Sequence, residues 1–268
     1  AKVQSGRVIR VNMRGAVTHR RTGENAVPRI PGVNFLSSGA DVRSELADWL
    51  VQRDNPYFAK AIVNRLWKAM MGRGLVEPTD DLSATNPATH PRLLSQLADD
   101  FVDNGFDLRH TLKRIALSST YGRSAKSAKE NSADDRFYSH AYRKPLEPEI
   151  LADAISDTLG TAEKYGDQPM GTRAVSLFDS RIPSESLDLL GRCSREDSCE
   201  SSSASSGGLP RMLHLMNGPL LNRRIADPSG RLKKLIDSGK DSNQIVDEFY
   251  LVALGRKPSA AEKTFWEQ

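Results

Sequence analysis

The sequence predicts an all-α protein, an orthogonal or antiparallel multi-helix bundle with an irregular N-terminal arm and at most short β segments. Three observations predict it. Apolar residues recur at helical spacing in segment after segment from about residue 42 onward. Asp, Asn or Ser caps and first-turn prolines precede these segments, and Gly or Asn follows several of them. The connections are short, which favours antiparallel neighbours in a bundle.

Residues 1–40 lack a helical period and carry Ser5-Gly6, Gly15, Gly23, Pro28 and Pro31-Gly32 as punctuation, so they read as an extended arm or small hairpin packed on the body. Within it, 19–24 makes a tight polar turn. Arg20 and Arg21 beside His19 suit an anion, although a solvated loop is the plainer reading. A first helix over 42–52 has Asp41 as cap and Leu46, Trp49 and Leu50 on one face. The second takes Asn55 as cap and Pro56 in its first turn. Its face of Phe58, Ile62, Leu66 and Met70, widened by Ala61, Val63 and Trp67, makes it a central, largely buried helix that stops at Gly72 or Gly74. A third helix spans 91–104 with Leu94, Leu97, Ala98 and Phe101 as its stripe, and Asp107 caps a fourth running to Ser118.

Beyond it, 118–131 is small and polar and reads as an exposed linker; Pro148 opens a helix over 149–159. Helical period is lost over 160–185, where 172–178 alternates weakly as a short strand, and 187–200 reads as a loop leading into a serine-rich run, 201–208. Residues 209–217, with Met212, Leu213, Leu215 and Met216, predict a buried helix in which methionine fills core gaps. Shorter helices follow to 225 and 236, a longer one capped by Asp241 or Ser242 runs to 254, and Ser259 caps the last. The expected organisation is an arm over 1–40 and a single helical domain over 41–268, subdivided by loops near 118–135 and 160–208.

Composition narrows function without naming it. The 268 residues are 38% hydrophobic and 27% charged, as in an ordinary water-soluble globular chain. Thirty-eight Lys and Arg against 34 Asp and Glu leave a net charge of +4, too small an excess to require a nucleic-acid surface. No run of 18 apolar residues exists to span a membrane. The chain begins Ala1-Lys2 without Met and stops within a helical pattern, so both ends read as cut from a longer polypeptide.

The tightest group of chemistry-bearing residues lies at 64–90. Asn64, Arg65 and Lys68 sit on or beside the buried face of the second helix, and the loop 77–91, EPTDDLSATNPATHP in one-letter code, brings Asp80, Asp81, Asn86 and His90. In the sharper reading these are candidates for a hydrolytic or metal-assisted site, with Asp80, Asp81, Asn86 and His90 set against Arg65 and Asn64, where carboxylate, histidine and arginine together activate water and hold an anion or sugar. In the plainer reading Asn64 and Arg65 satisfy loop carbonyls and a carboxylate, and Asp81, Asn86 and Thr89 make turns and caps. The alternating acidic residues of a calcium loop are absent, and no metal or cofactor site is assigned. Tyr138, His140, Tyr142, Arg143 and Lys144 resemble a stacking surface for nucleic acid, or else an aromatic anchor for a loop. The only cysteines, Cys193 and Cys199, are a disulfide candidate or a pair of free thiols; neither CxxC nor CxxCH is present.

The continuous run from Arg43 to Tyr121 closely resembles the planctomycete family known as domain of unknown function 1553. So do HRRTGENAVPRIPG at 19–32, REDSCESSSASSGGLPRMLHLMNGP at 195–219 and LVALGRKPSAAE at 251–262. The resemblance implies a C-terminal module of large, commonly exported proteins, often joined to a cytochrome c-like domain carrying its own haem motif. No activity is attached to such modules. Many relatives look like CECER around the second cysteine, whereas this chain has Cys199-Glu200-Ser201-Ser202-Ser203, so any chemistry carried by that loop in relatives is in doubt here.

The leading expectation is an extracytoplasmic accessory or interaction module of a larger protein linked to electron transfer or surface polysaccharide processing. Its partners would be the parent protein's other domains or a co-expressed surface protein. It would hold no cofactor itself, with haem, where present, elsewhere in the parent. The alternative is a hydrolase-like or metal-assisted enzyme at the 77–91 loop; nucleic-acid binding ranks third. The absence of a coherent catalytic set weighs against an enzyme.

Overall fold

The structure is a computed structural model that describes residues 17–30, 42–179, 181–193 and 208–266. The fold is mainly α-helical. Among the described residues there is no strand, and one isolated antiparallel bridge joins Thr18 to Asn25. That bridge closes the small turn expected in the arm, with His19 N–H donating to Glu24 O at 2.8 Å and Gly23 N–H to His19 O at 2.9 Å; Arg20 and Arg21 are exposed on it.

The chain forms two compact units, Ala1–Lys144 and Pro145–Gln268. The 118–135 stretch, near which the sequence suggests a division, has no buried residue and lies inside the first unit, whereas 160–193 supplies Tyr165, Ala174, Leu177, Ile182, Leu187 and Leu190 to the core of the second. In the first unit Tyr138 joins a cluster with Val63, Trp67, Leu75, Leu94, Phe101 and Ile115. In the second, Tyr165, Ala174, Leu177 and Ile182 pack with Ala152, Leu187 and Leu190. Each unit thus buries an apolar cluster of its own, which is what defines a compact unit physically.

In the first unit α1 (Val42–Leu50) precedes α2 (Phe58–Met71), α3 (Pro91–Asp103) and α4 (Leu108–Ala116). Asn55 Oδ1 accepts from the backbone N–H of Tyr57 and Phe58 at 3.0 and 2.8 Å and thereby starts α2. Ala59, Val63, Trp67 and Met71 recur every fourth residue and are buried against α3 and α4, with Asn64 among them. Asp107 caps α4 through Oδ1, and His110 Nε2 meets Asp100 Oδ2 at 2.8 Å, tying α4 to α3.

The second unit holds α5 (Pro148–Leu159), a 3-10 turn (Ala174–Ser176), α6 (Glu185–Leu190), α7 (Leu209–Asn217), α8 (Pro219–Ile225), α9 (Arg231–Asp237), α10 (Ser242–Leu254) and α11 (Ala260–Trp266). Three sequence expectations fail here. The alternation over 172–178 is a 3-10 turn and not a strand, because Asp153, 5% exposed on α5, accepts from Ala174 N–H at 2.7 Å and Val175 N–H at 3.2 Å and so caps it. Part of the loop expected over 187–200 is the end of α6, a six-residue helix started by Ser184 Oγ accepting from Leu187 N–H. And α7 is not a core helix, since Leu209, Met212, Leu213 and Met216 are 68, 61, 57 and 79% exposed and only His214 is buried. Apolar periodicity shows that a helix has an apolar face, not that anything covers it. No helix among the described residues is long and apolar enough to cross a membrane.

Phe101, 2% exposed, packs edge-on against Phe106 with ring centroids 5.3 Å apart. Phe101→Ala is expected to lower the stability of the first unit by about 3–5 kcal/mol, read from hydrogen exchange of the α2 and α3 amides. A loss below about 1 kcal/mol would show that the cluster is not its core.

Candidate functional site

Helix α2 is the floor on which the candidate residues are laid. Asn64 has no exposed surface. Its Nδ2 donates to Val76 O at 3.0 Å and Thr79 O at 2.9 Å, and its Oδ1 accepts from Val76 N–H at 3.0 Å. Both amide hydrogens are therefore used, and the carboxamide mimics a paired strand for the chain above it. Gly74 makes that approach possible: a Cβ there would lie 2.5 Å from Val76 O and 3.1 Å from Asn64 Oδ1. Four residues along the helix, Lys68 Nζ donates to Thr79 Oγ1 at 2.7 Å and to Glu77 Oε2 at 3.3 Å, while Glu77 Oε1 accepts from Gly74 N–H at 2.7 Å.

The remaining candidates are similarly committed. Arg65 forms a two-pronged pair with Asp80, Nε to Oδ1 at 2.8 Å and Nη2 to Oδ2 at 2.7 Å. The hydrogen bonds from Arg65 lower the Asp80 carboxyl below its ordinary value, so the pair's contribution is present above that value and lost as pH falls through the depressed one. Both side chains are about half exposed, so solvent screening keeps that contribution within about 1 kcal/mol. Asp81 Oδ1 accepts from Ser83 N–H at 3.3 Å, and Asn86 Nδ2 donates to Asp81 O at 2.9 Å and Glu77 O at 3.2 Å. Thr89 N–H donates to Leu75 O at 2.8 Å, and His90 turns its ring toward Phe137 and Tyr138, centroids 6.0 and 5.9 Å away. Asn64, Arg65, Asp80, Asp81, Asn86 and His90 are therefore neighbours in a network of caps and pairs, with Asn64 sealed from solvent and His90 on an aromatic cluster. Among the described residues no three His, Cys, Asp or Glu side chains gather as a metal site.

The aromatic segment docks on the same turn. Tyr138 is 2% exposed, its hydroxyl aims at Gly74 O (2.7 Å) and Arg73 O (3.0 Å), and its ring meets Trp67 edge-on at 5.4 Å. Burial pushes its phenol up to about 12, so it remains a donor at neutral pH. Tyr142 OH accepts from Tyr138 N–H at 2.8 Å, and Lys144 Nζ donates to Ala69 O and Met70 O at the end of α2. The rings that resembled a stacking platform are spent as an anchor. Between the 72–77 turn and this segment lies a cavity of about 690 Å³, lined by Arg73, Glu77, Lys126, Asp134, His140 and Arg143 among others.

A second polar cluster, in the second unit, escaped the sequence. A cavity of about 530 Å³ is lined by Glu163, Ser184, Ser186, His214 and Arg224 together with apolar residues of α5, α6 and α8. Glu163 Oε1 accepts from Ser184 Oγ at 3.2 Å and from Ser186 Oγ, and its Oε2 accepts from Arg224 Nη1 at 3.2 Å. Arg224 also donates to Ser156 Oγ and Thr161 O at 2.7 and 2.8 Å. This is a closed, hydrogen-bonded ion pair that joins α5, α6 and α8. Its members lie up to 68 residues apart, and the only local signal was a helix start at Ser184. Cys193 is disulfide-bonded, and Cys199 lies outside the described residues.

Asn64→Ala leaves Val76 N–H and two carbonyls buried without partners, an expected loss of about 2–4 kcal/mol in urea unfolding, whereas Arg65→Ala is expected to cost less than about 1 kcal/mol. Equal small losses would mean that the turn does not depend on the carboxamide.

Residues 42–268 match the family described as "Protein of unknown function (DUF1553)". No curated protein and no solved structure matches the chain. The family match begins with the first residue of α1 and takes in the whole loop built on α2, the Tyr138 anchor and the second unit. The chain belongs to the DUF1553 family.

Proposed function

We propose that this chain is an extracytoplasmic accessory module that docks other domains of a larger parent protein, within an assembly concerned with electron transfer or surface polysaccharide processing. Haem, in such a parent, sits on another domain. One observation carries the docking part. On α7, Leu209, Met212, Leu213 and Met216 fall at i, i+3, i+4 and i+7, and all four are more than half exposed. An apolar stripe of that kind is the usual mark of an interaction surface, and methionine suits it by adapting to an irregular partner. The exported setting and the multidomain parent are supported by the sequence resemblance alone.

The competing reading, a hydrolase at the 77–91 loop, is the less favoured one. Arg65 is already paired with Asp80, and Asn64 is sealed beneath Val76 and Thr79 with its carboxamide fully used. Hydrogen exchange distinguishes the docking reading directly. Amides of 209–217 are expected to exchange at least about tenfold more slowly in the full parent polypeptide than in the isolated chain, and Met212→Asp with Met216→Asp is expected to abolish the difference. Identical exchange in the two settings would overturn it.

A further inference from the structure

The cavity beside the Tyr138 anchor has an imbalance that its own residues do not resolve. Three cations line it, Arg73, Lys126 and Arg143, and among the described residues none of these side chains makes an ion pair or hydrogen bond. The acids lining it are mostly spent. Glu77 is held by Lys68, Thr79 and Gly74 N–H. Asp134 accepts from the backbone N–H of Arg136, Phe137 and Ser139 at 3.0, 2.8 and 2.8 Å. Those hydrogen bonds hold Asp134 ionised, so with Glu77 paired to Lys68 two carboxylates, Asp134 and Asp135, stand against the three cations.

Two buried polar atoms lack partners in the same place. Arg73 Nε is one and His140 Nε2 is the other; His140 Nδ1 lies 3.1 Å from Ala141 O, to which it donates. A buried guanidinium N–H without an acceptor costs about 1–3 kcal/mol, and structures rarely retain such a group without a use. The main chain at Arg73 is held in place, its carbonyl accepting from Tyr138 OH and the next residue, Gly74, lying close against Asn64.

We infer that this cavity binds an oxyanion of the phosphate or sulfate class, either free or as an ester on a larger molecule. An acceptor-only group with several oxygens answers the unpartnered guanidinium and the excess cations together. It satisfies Arg73 Nε by a charge-assisted hydrogen bond and offsets the charges of Lys126 and Arg143, both exposed at the cavity. The Tyr142 ring, edge-on to His140 at 5.4 Å, closes one side. At about 690 Å³ the cavity exceeds one oxyanion, which leaves space for the body of an ester.

Isothermal titration and thermal melting of the whole chain test this with inorganic phosphate, inorganic sulfate and phenyl phosphate, against sodium chloride at matched ionic strength. Saturable binding by at least one probe is expected, weakened at least fivefold (~1 kcal/mol) by Arg73→Gln and by Arg143→Gln and unchanged by Arg109→Gln on α4. Preference for phenyl phosphate over the inorganic ions identifies an ester as the ligand; the reverse order identifies a free ion. Should Arg73→Gln lose helicity by circular dichroism, Arg143→Gln decides. A response equalled by sodium chloride, or binding that survives both cleft substitutions, means an adventitious ion only and overturns the inference.

Discussion

A single buried carboxamide governs the first unit. Asn64 sits on the inward face of α2, where its neighbours Ala59, Val63, Trp67 and Met71 are buried, and a polar group there is tolerated only if its hydrogen bonds are made. The turn above supplies them through Val76 and Thr79, and in exchange the turn gains a fixed register on the helix. Gly74 is the corollary, because any side chain at that point would strike the backbone of Val76. The rest is built outward from this contact. With the turn held, the carbonyls of Arg73 and Gly74 face Tyr138 OH, the 134–144 segment returns to α2, and Lys144 caps the helix's last carbonyls. The cavity that carries the unpaired cations is lined in part by these two pinned segments, through Arg73 and Glu77 on one and His140 and Arg143 on the other.

That dependence explains which features could be read from the sequence. Helix starts were legible because they are local: Asn55, Asp107 and Asp241 each cap within three residues, and Pro91 and Pro148 occupy first turns. The candidate cluster was legible as a place, since polar residues inside an apolar stripe demand partners and a loop rich in capping residues follows at once. Its chemistry was not. Whether Arg65 faces a substrate or Asp80 depends on how the 72–79 turn folds back, and that is fixed by Asn64 contacts spanning 12 and 15 residues.

The second unit shows the limit more sharply. Asp153 turns an alternating segment into a 3-10 turn from 21 residues away, and Glu163 meets Arg224 from a different part of the chain. No window of sequence contains both members of either pair. The exposed stripe of α7 is a related case, because Leu209, Met212, Leu213 and Met216 have the same spacing whether they face a core or a partner. Polar groups in this protein are mostly consumed in holding turns against helices. What remains unspent, an apolar stripe and a set of unpaired cations, is where function has room to act.

The most direct measurement of the central claim is native-state hydrogen exchange at the Val76 amide. If Asn64 holds the turn as a single unit with α2, Val76 N–H exchanges only on global unfolding of the first unit, with an opening free energy equal to that of the α2 amides. Exchange of Val76 on the fast timescale of exposed loop amides, with α2 still protected, would contradict the account: the turn would then open without its helix, and the carboxamide would not be what holds it.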